Sequence, residues 1–435
     1  MPAFAKDPVR VDIPEARILA ERLYTAHQFR AARDVASTLL QRDPKDITAL
    51  LILSQAERAL GHTKPAVSAG KRAWAAALNP MQKYGSAIVT AQALSAGGMR
   101  TRAQVWLRRA TQKAPNAALR QRAIRDFQYV QSRNPFRTDI HFSVQPSSNI
   151  NNGSKSDSLV IGGLAFALNG DARALSGVEI SYGFSTTYKK QTSADHKWYL
   201  GFKLDARNYV LSAAAKRLAP GQRASDYAYV STELSFGSTK ILDQGRGALD
   251  FNLAVGRNWY GGAVLGDFAR ISVSRMFSQT ASTQSRYKVS VTRQLRKDNA
   301  LRSSTQVAVA GHWAKAFNNG SVLRWNVGAQ TTSSALASVA HKGFSAGASL
   351  SPKKDLFGAR VTYSLNLVAR RDDLPTFGVL RSDNKVSAGV SLFFSKADYY
   401  GFAPNLSFVA TRNQSNIALY DTVNYGLSLG LRSTF

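Results

Sequence analysis

The spacing of apolar positions divides the chain in two. Before about residue 133 they recur at three- and four-residue steps; after about residue 137 they alternate one by one with polar residues. Ile140, Phe142 and Val144 open the alternating region. Val178, Ile180, Tyr182 and Phe184 follow, and later Leu249, Phe251, Leu253 and Val255, then Val307, Val309, Gly311 and Trp313. The last segment reads Tyr425, Leu427, Leu429, Leu431 and, after Ser433, Phe435. The residues between are mostly Ser, Thr, Asn, Gly, Arg and Lys. A period of two with one apolar and one polar face is that of β-strands solvated differently on their two sides. Many segments run about nine to eleven residues, the length of a tilted strand crossing a bilayer. Aromatic pairs at segment ends, Trp198-Tyr199, Trp259-Tyr260 and Tyr399-Tyr400, suit an interfacial girdle. The second face is too polar for a two-sided core and suits a wet lumen. With weaker segments near Leu164 and Val230, 14 or 15 strands fit, and the even strand numbers of bacterial barrels favour 14.

In hydrocarbon every backbone polar group needs a partner, so such a sheet must close. The last strand is therefore expected to pair with the first, near residues 137–144, with Phe435 on the lipid face at one rim. Tyr425, Leu427, Leu429, Leu431 and Phe435 would form a terminal insertion signal read by a barrel assembly machinery.

The first third predicts helices. It is rich in Ala, Leu, Arg and Gln, and apolar spacing is helical from Pro14 to about Ser132. Residues 84–99, the longest uncharged stretch here, read as a helix pair. Pro44, Pro80 and Pro115 lie 36 and 35 residues apart, Gly61 and Gly97 lie 36 apart, and Ala31, Ala66 and Ala103 keep nearly the same step. A period near 34 with a small mid-repeat residue and a terminal proline is the tetratricopeptide pattern of stacked helix pairs, here about three of them. Such arrays are binding scaffolds. Trp74, Tyr84 and Trp106 read as core.

The fold class predicted is a two-domain α + β chain: N-terminal tetratricopeptide-like helical repeats, then a transmembrane antiparallel β-barrel of about 14 strands. The boundaries are a tail at 1–12, a helical domain at 13–133 and a barrel at 134–435. In the tail, Ala3-Phe4-Ala5 before Lys6 has the small-x-small form of a signal peptidase site, although no apolar h-region is written ahead of it. No run of 18 apolar residues marks a helical span.

Net charge is +30, and its distribution says more than its size. Between Glu57 and Asp126 there are thirteen basic residues and no acidic one. Such a field favours an anionic partner. Arg58, Lys64, Lys71, Arg72, Arg100, Arg102, Arg108 and Arg109 are the candidates for binding a client protein. Basic segments at 187–197, 217–223 and 293–302 are candidates for lipopolysaccharide phosphates. No groove-binding motif accompanies the basic run, so nucleic acid is not an expected partner.

Signs of catalysis are sparse. Cysteine is absent, which removes disulfides and thiol chemistry. The six histidines show no metal-ligand spacing, and neither a phosphate loop nor a nucleophile elbow is present. Asp195-His196 is the best local acid–base pair, but neighbours on a strand point to opposite faces. The expectation is a monomeric non-enzyme without metal or cofactor.

At the junction the chain reads NPFRTDIHFSVQPSSNINNGS, residues 134–154. Asn134-Pro135, the alternation of Ile140, Phe142 and Val144, and then Pro146, Ser148, Asn149, Ile150 and Asn151 resemble the surface lipoprotein assembly modulator (Slam) family. The order of domains and the terminal aromatic agree, so the resemblance spans essentially the whole chain, although the aromatic positions usual in the repeats are mostly missing. It implies a periplasmic tetratricopeptide domain and a 14-stranded outer-membrane barrel. It also implies delivery of client proteins, either surface lipoproteins or secreted haem- or metal-binding proteins, across the outer membrane. A periplasmic chaperone could share the helical groove. Other classes compatible with the pattern are an exopolysaccharide export porin with a tetratricopeptide scaffold, a passive diffusion channel and an outer-membrane enzyme.

Overall fold

The computed structural model describes residues 11–435; the signal-peptidase-like motif lies outside them. Two compact units divide the chain at Asn134/Pro135, and packing groups Tyr399–Gly401 and Phe435 with the first.

The first unit is built on seven helices: α1 (Ile13–Thr25), α2 (Phe29–Arg42), α3 (Ile47–Ala59), α4 (Thr63–Ala76), α5 (Pro80–Ala96), α6 (Arg100–Lys113) and α7 (Ala117–Arg133). Residues 84–99 therefore hold most of one helix and the turn after it, not a helix pair. Asp12, Asp46, Asn79 and Asn116 cap α1, α3, α5 and α7 by accepting from the backbone N–H three residues on. Pro80 sits in the first turn of α5, where its missing N–H costs nothing.

Three helix hairpins repeat one another closely. Their turns place His27, Gly61 and Gly98 at positive φ. Each is closed by the same five-back hydrogen bond, from Gln28, His62 and Met99 to the carbonyls of Leu23, Glu57 and Leu94. The left-handed residue of the third turn is thus Gly98; Gly97 is small for another reason, since a Cβ there would meet Thr63 at 2.3 Å. At the repeating small position Ala32, Ala66 and Ala103 are fully buried, so the first repeat position is Ala32 and not Ala31. Alanine lets helices approach, and larger residues fill the seams between them. Phe127, Leu94, Leu107 and Tyr84 join Trp106 in one core, against which the half-buried Trp74 packs edge-on at 5.5 Å from Trp106.

The second unit is a closed barrel of fourteen antiparallel strands. In order they are β1 (Phe136–Ser147), β4 (Gly177–Gln191), β5 (His196–Leu211), β6 (Tyr229–Leu242), β7 (Gly247–Tyr260), β8 (Ala263–Thr280), β9 (Thr283–Arg296), β10 (Ser304–Ala316), β11 (Val322–Ser334), β12 (His341–Ser351), β13 (Arg360–Asp372), β14 (Ser382–Phe393), β15 (Phe402–Ser415) and β16 (Thr422–Ser433). Between β1 and β4 a separate hairpin, β2 (Ser158–Ile161) with β3 (Leu164–Ala167), accounts for the segment near Leu164, which is not a barrel strand. A short helix, α8 (Ala213–Leu218), lies between β5 and β6.

Each strand pairs with its sequence neighbour, and β1 closes on β16. Connections at the rim where β1 begins and β16 ends are 192–195, 243–246, 281–282, 317–321, 352–359 and 394–401. The two longest connections, 148–176 and 212–228, are at the opposite rim. Barrel closure gives every strand a paired neighbour on both sides.

Candidate functional site

The alternation sorts the barrel side chains as expected. Ile140 (72% exposed), Leu234, Val289, Val309, Leu365 and Leu429 all stand exposed on one face. In water a ring of such residues around a closed sheet would be untenable; in lipid it is the solvated face. Two rows of rings run along this face near the β1 rim. Phe136, Tyr188, Trp198 and Phe236 cross β1, β4, β5 and β6 with centroids 5.0, 5.7 and 6.5 Å apart. Phe277, Tyr287, Trp313 and Trp325 cross β8 to β11 at 6.1, 5.8 and 6.0 Å. Such a girdle is what an interface between hydrocarbon and headgroups selects. Tyr399 and Tyr400, assigned to a girdle by the sequence reading, belong instead to the helical unit, where the Tyr400 N–H donates to Gln112 Oε1 at 2.9 Å.

The other face is polar and charged. On β5 to β8, cations meet acids: Lys203 lies 2.7 Å from Asp205 and Arg270 lies 2.6 Å from Glu233, while the Tyr199 hydroxyl donates to Asp250. The strands β9, β10, β11 and β12 themselves carry no acidic residue. Arg286 stands opposite His312 in the register, with Lys288 two residues on and Arg324 on β11, giving the lumen wall an uncompensated basic patch.

The barrel-start motif folds into a tight cap at the far rim. Asn149, 2% exposed, accepts from the Gly153 N–H and donates to the Gly153 carbonyl, both at 2.9 Å. Asn151 donates to the Asp171 and Arg173 carbonyls and accepts from the Leu175 N–H. Ser148 accepts from the Tyr425 N–H, tying the loop to the last strand. Ile150 enters a small core with Leu175, Leu211, Ala215 and Tyr227. Gly153 is obligatory: a Cβ would stand 2.2 Å from the Arg173 carbonyl oxygen. Pro146 is on β1 itself. Ser148, Asn149, Ile150 and Asn151 thus hold the first loop against the barrel.

The eight basic candidates are not gathered in one place. Arg58 and Arg100 line a groove of about 650 Å³ in the helical unit. Arg108 instead inserts among rings, 4.8 Å from Phe127 and 4.9 Å from Phe435, and donates to the Tyr400 and Gly401 carbonyls. Burial pushes its pKa down. Arg109 covers Trp106 at 4.4 Å, Arg72 donates to the Pro44 carbonyl, and Arg102 reaches the Met99 sulfur. Lys64 and Lys71 do not line the groove.

The groove's other charges come from α7, whose Arg122, Asp126, Tyr129 and Arg133 recur at helical steps. The floor is Ala91, Leu107 and Val130. Arg133 lies 3.9 Å over the exposed Tyr129 ring, and Arg58 Nε is buried with no partner. Four guanidinium groups face one carboxylate above an apolar floor, an arrangement whose charge can attract an anionic ligand.

Phe435 departs from its expected place. Rather than facing lipid it joins the helical core edge-on to Phe127 at 4.9 Å. Burying the ring and stacking it on Arg108 explains the preference. Tyr425, Leu427, Leu429 and Leu431 remain exposed on the lipid face. The phosphate-binding candidates also separate: 187–197 lies at the β1 rim, whereas 217–223 and 293–302 lie at the other. His196 hydrogen-bonds Ser238 and Thr192, while Asp195 is bonded by Ser193, so these neighbours do not share a proton.

No protein-family model and no curated protein matches the chain. Among solved structures, the type III secretion translocator chaperone SycD of Yersinia enterocolitica is similar over 28% of this chain and 88% of its own, at 17% identity and a TM-score of 0.26. The COG4313 outer membrane channel of Pseudomonas putida F1 covers 67% of this chain and 95% of its own, at 8% identity and a TM-score of 0.31. CdiB of Escherichia coli covers 67% and 62%, at 11% identity and a TM-score of 0.35. These are likenesses in outline, and the placement of the barrel rests on its own exterior. A closed fourteen-stranded sheet with an apolar, aromatic-girdled outside and a polar inside is an outer-membrane β-barrel, preceded in this chain by a helical domain.

Proposed function

We propose that this protein is an outer-membrane translocator that carries client proteins to the cell surface, its tetratricopeptide-like domain gathering the client, or a chaperone bearing it, on the periplasmic side. The observation that carries this reading is the arginine groove of the helical domain, on the same chain as a barrel with a polar lumen. A pore for small solutes has no use for an arginine-lined groove on the same chain. A fourteen-stranded barrel is wider than an eight-stranded one, which side chains fill, so the lumen offers a route for extended polypeptide. The resemblance to the surface lipoprotein assembly modulators supports surface lipoproteins, or secreted haem- or metal-binding proteins, as the clients. The assembly machinery would install the barrel, and lipopolysaccharide phosphates would meet the basic far-rim loops. Catalysis, cofactors and a second copy play no part in this reading.

The test is surface exposure. Candidate lipoproteins encoded beside the gene are co-expressed with the full chain, with an empty vector, and with Arg122→Glu/Arg133→Glu. Protease shaving of intact cells should cut the client only with the full chain, and several-fold less with the double variant at equal barrel level. Unchanged exposure in all three would refute the translocator reading.

A further inference from the structure

The basic arc of the lumen wall is set out in register. Across β9 to β13 one row of directly opposed residues runs Arg286, His312, Asn326, Gly347, Asn366. These positions fall on the polar face, because their neighbours Tyr287, Val327 and Leu365 stand exposed on the lipid face. Arg324 enters from the next row, opposite Ala314, and Lys288 follows Arg286 two residues along β9. The four basic residues and the two asparagines border one hollow of about 610 Å³. Glycine at 347 makes room for the amides: a Cβ there would stand 2.6 Å from Asn366 Oδ1 and 2.8 Å from Asn326 Oδ1. The two side chains converge over Gly347 from the strands on either side, and among the described residues neither hydrogen-bonds a protein group.

The cations are left without acids. Among the described residues none of Lys288, His312 and Arg324 takes part in an ion pair, and Arg286 reaches only the Met276 sulfur, at 3.8 Å. The rows of Arg286 and Arg324 carry no carboxylate on any strand from β8 to β14. In the row of Lys288 the next carboxylate is Asp250 on β7, two strands away, and it already accepts from the Tyr199 and Thr239 hydroxyls. Neighbouring strands lie about 5 Å apart and alternate residues along one strand about 7 Å, so the four cationic groups spread over about 10 Å of wall. A single small oxyanion meets one or two of them; a ligand with several oxyanion groups meets all four. The low-dielectric wall around a wet lumen focuses such a field inward.

We infer that this arc is a binding site for a polyvalent oxyanion, a ligand carrying at least two phosphate or carboxylate groups. The Arg286 and Arg324 guanidinium forks, the Lys288 ammonium and the His312 ring meet its charges, and the Asn326 and Asn366 amides donate to its remaining oxygens. The site stands apart from the translocator reading: it needs no moving client, and a client could pass without it.

The full chain in a zwitterionic detergent, at about 0.15 M salt so that loose surface attraction is screened, is treated with phenylglyoxal, and modified arginines are read one by one by mass spectrometry. Inorganic tripolyphosphate and citrate are the phosphate and carboxylate probes, with orthophosphate as the single-anion comparison. At least one polyvalent probe should slow modification of Arg286 and Arg324 about tenfold, and that of Arg137, 70% exposed at the rim, by less than about twofold. Which probe does so identifies the anionic group. Orthophosphate should need a concentration higher by about tenfold or more for the same effect. Lys288→Glu, or Lys288→Gln if the first fails to insert, should lower the protection of Arg324 severalfold. Modification of Arg122 in the helical domain should stay unchanged, so that loss of this site and loss of the client groove are read separately. No protection by either polyvalent probe, equal protection of Arg137, equal potency of orthophosphate, or protection that survives the Lys288 variants would each overturn the inference.

Discussion

The cap formed by residues 148–176 depends on one buried amide, and that dependence can be measured. Asn149 is nearly inaccessible, and its side chain satisfies both the N–H and the carbonyl of buried Gly153 at 2.9 Å. Its third contact, to the Val423 carbonyl at 3.4 Å, is long enough to neglect. Asn149→Ala leaves the Gly153 carbonyl buried without this donor, while the Gly153 N–H keeps its 3.3 Å contact to Asn151 Oδ1, so the folded loop should lose about 1–3 kcal/mol. Since about 1.4 kcal/mol is a factor of ten, the open population should rise roughly fivefold to a hundredfold. Limited proteolysis of the folded protein in detergent reads this directly, because cleavage tracks the open population when reclosing is fast. Asn149→Asp keeps the acceptor but sets a charged oxygen against the Gly153 carbonyl, so it should be at least as damaging at neutral pH. It should partly recover below about pH 4, where the carboxyl protonates. Cleavage within twofold of the parent rate in Asn149→Ala would refute the assignment of this residue as the clasp of the loop.

Three further outcomes check other parts of the structure. Val289→Arg, placing charge on the lipid face midway along β9, should destabilise the barrel by about 2–4 kcal/mol in urea titrations from vesicles, whereas lumen-facing Ser290→Arg should change it little. Phe127→Ala removes a ring only 1% exposed from the helical core and should cost that domain about 3–5 kcal/mol, read by melting of the helical circular dichroism band. Asp298, in the loop after β9, is held at a pKa of about 2, chiefly by its hydrogen bond from Arg296. A depressed carboxylate stabilises above its unfolded value near 4 and loses that contribution as pH falls through about 2. Amide exchange in residues 297–303 should therefore quicken over that window, and Asp298→Asn should abolish the dependence.

The two periods in the sequence locate both units because each is a solvation pattern repeated many times over. Errors fell where a single residue answers to a neighbour instead of a repeat. Leu164 alternates like a barrel strand, yet sits in a hairpin too short to join the wall. Arg108 and Arg109 read as part of a charged field, but aromatic faces take them up. The missing half of the groove was present as a helical step: Arg122, Asp126, Tyr129 and Arg133 share one face of α7, a pattern visible only when charges are given the same periodicity as apolar residues. Phe435 alternates with the final strand, but its partners Phe127 and Arg108 are some three hundred residues away, beyond any local signal.

The two rows of rings also bear on the membrane around the protein. They cross β1 and β4 to β6, then β8 to β11, and exposed Tyr363 on β13 and Phe402 on β15 stand near the same rim. Indole and phenol groups fix the depth at which headgroups settle, so the leaflet at this rim is held at one height around most of the circumference.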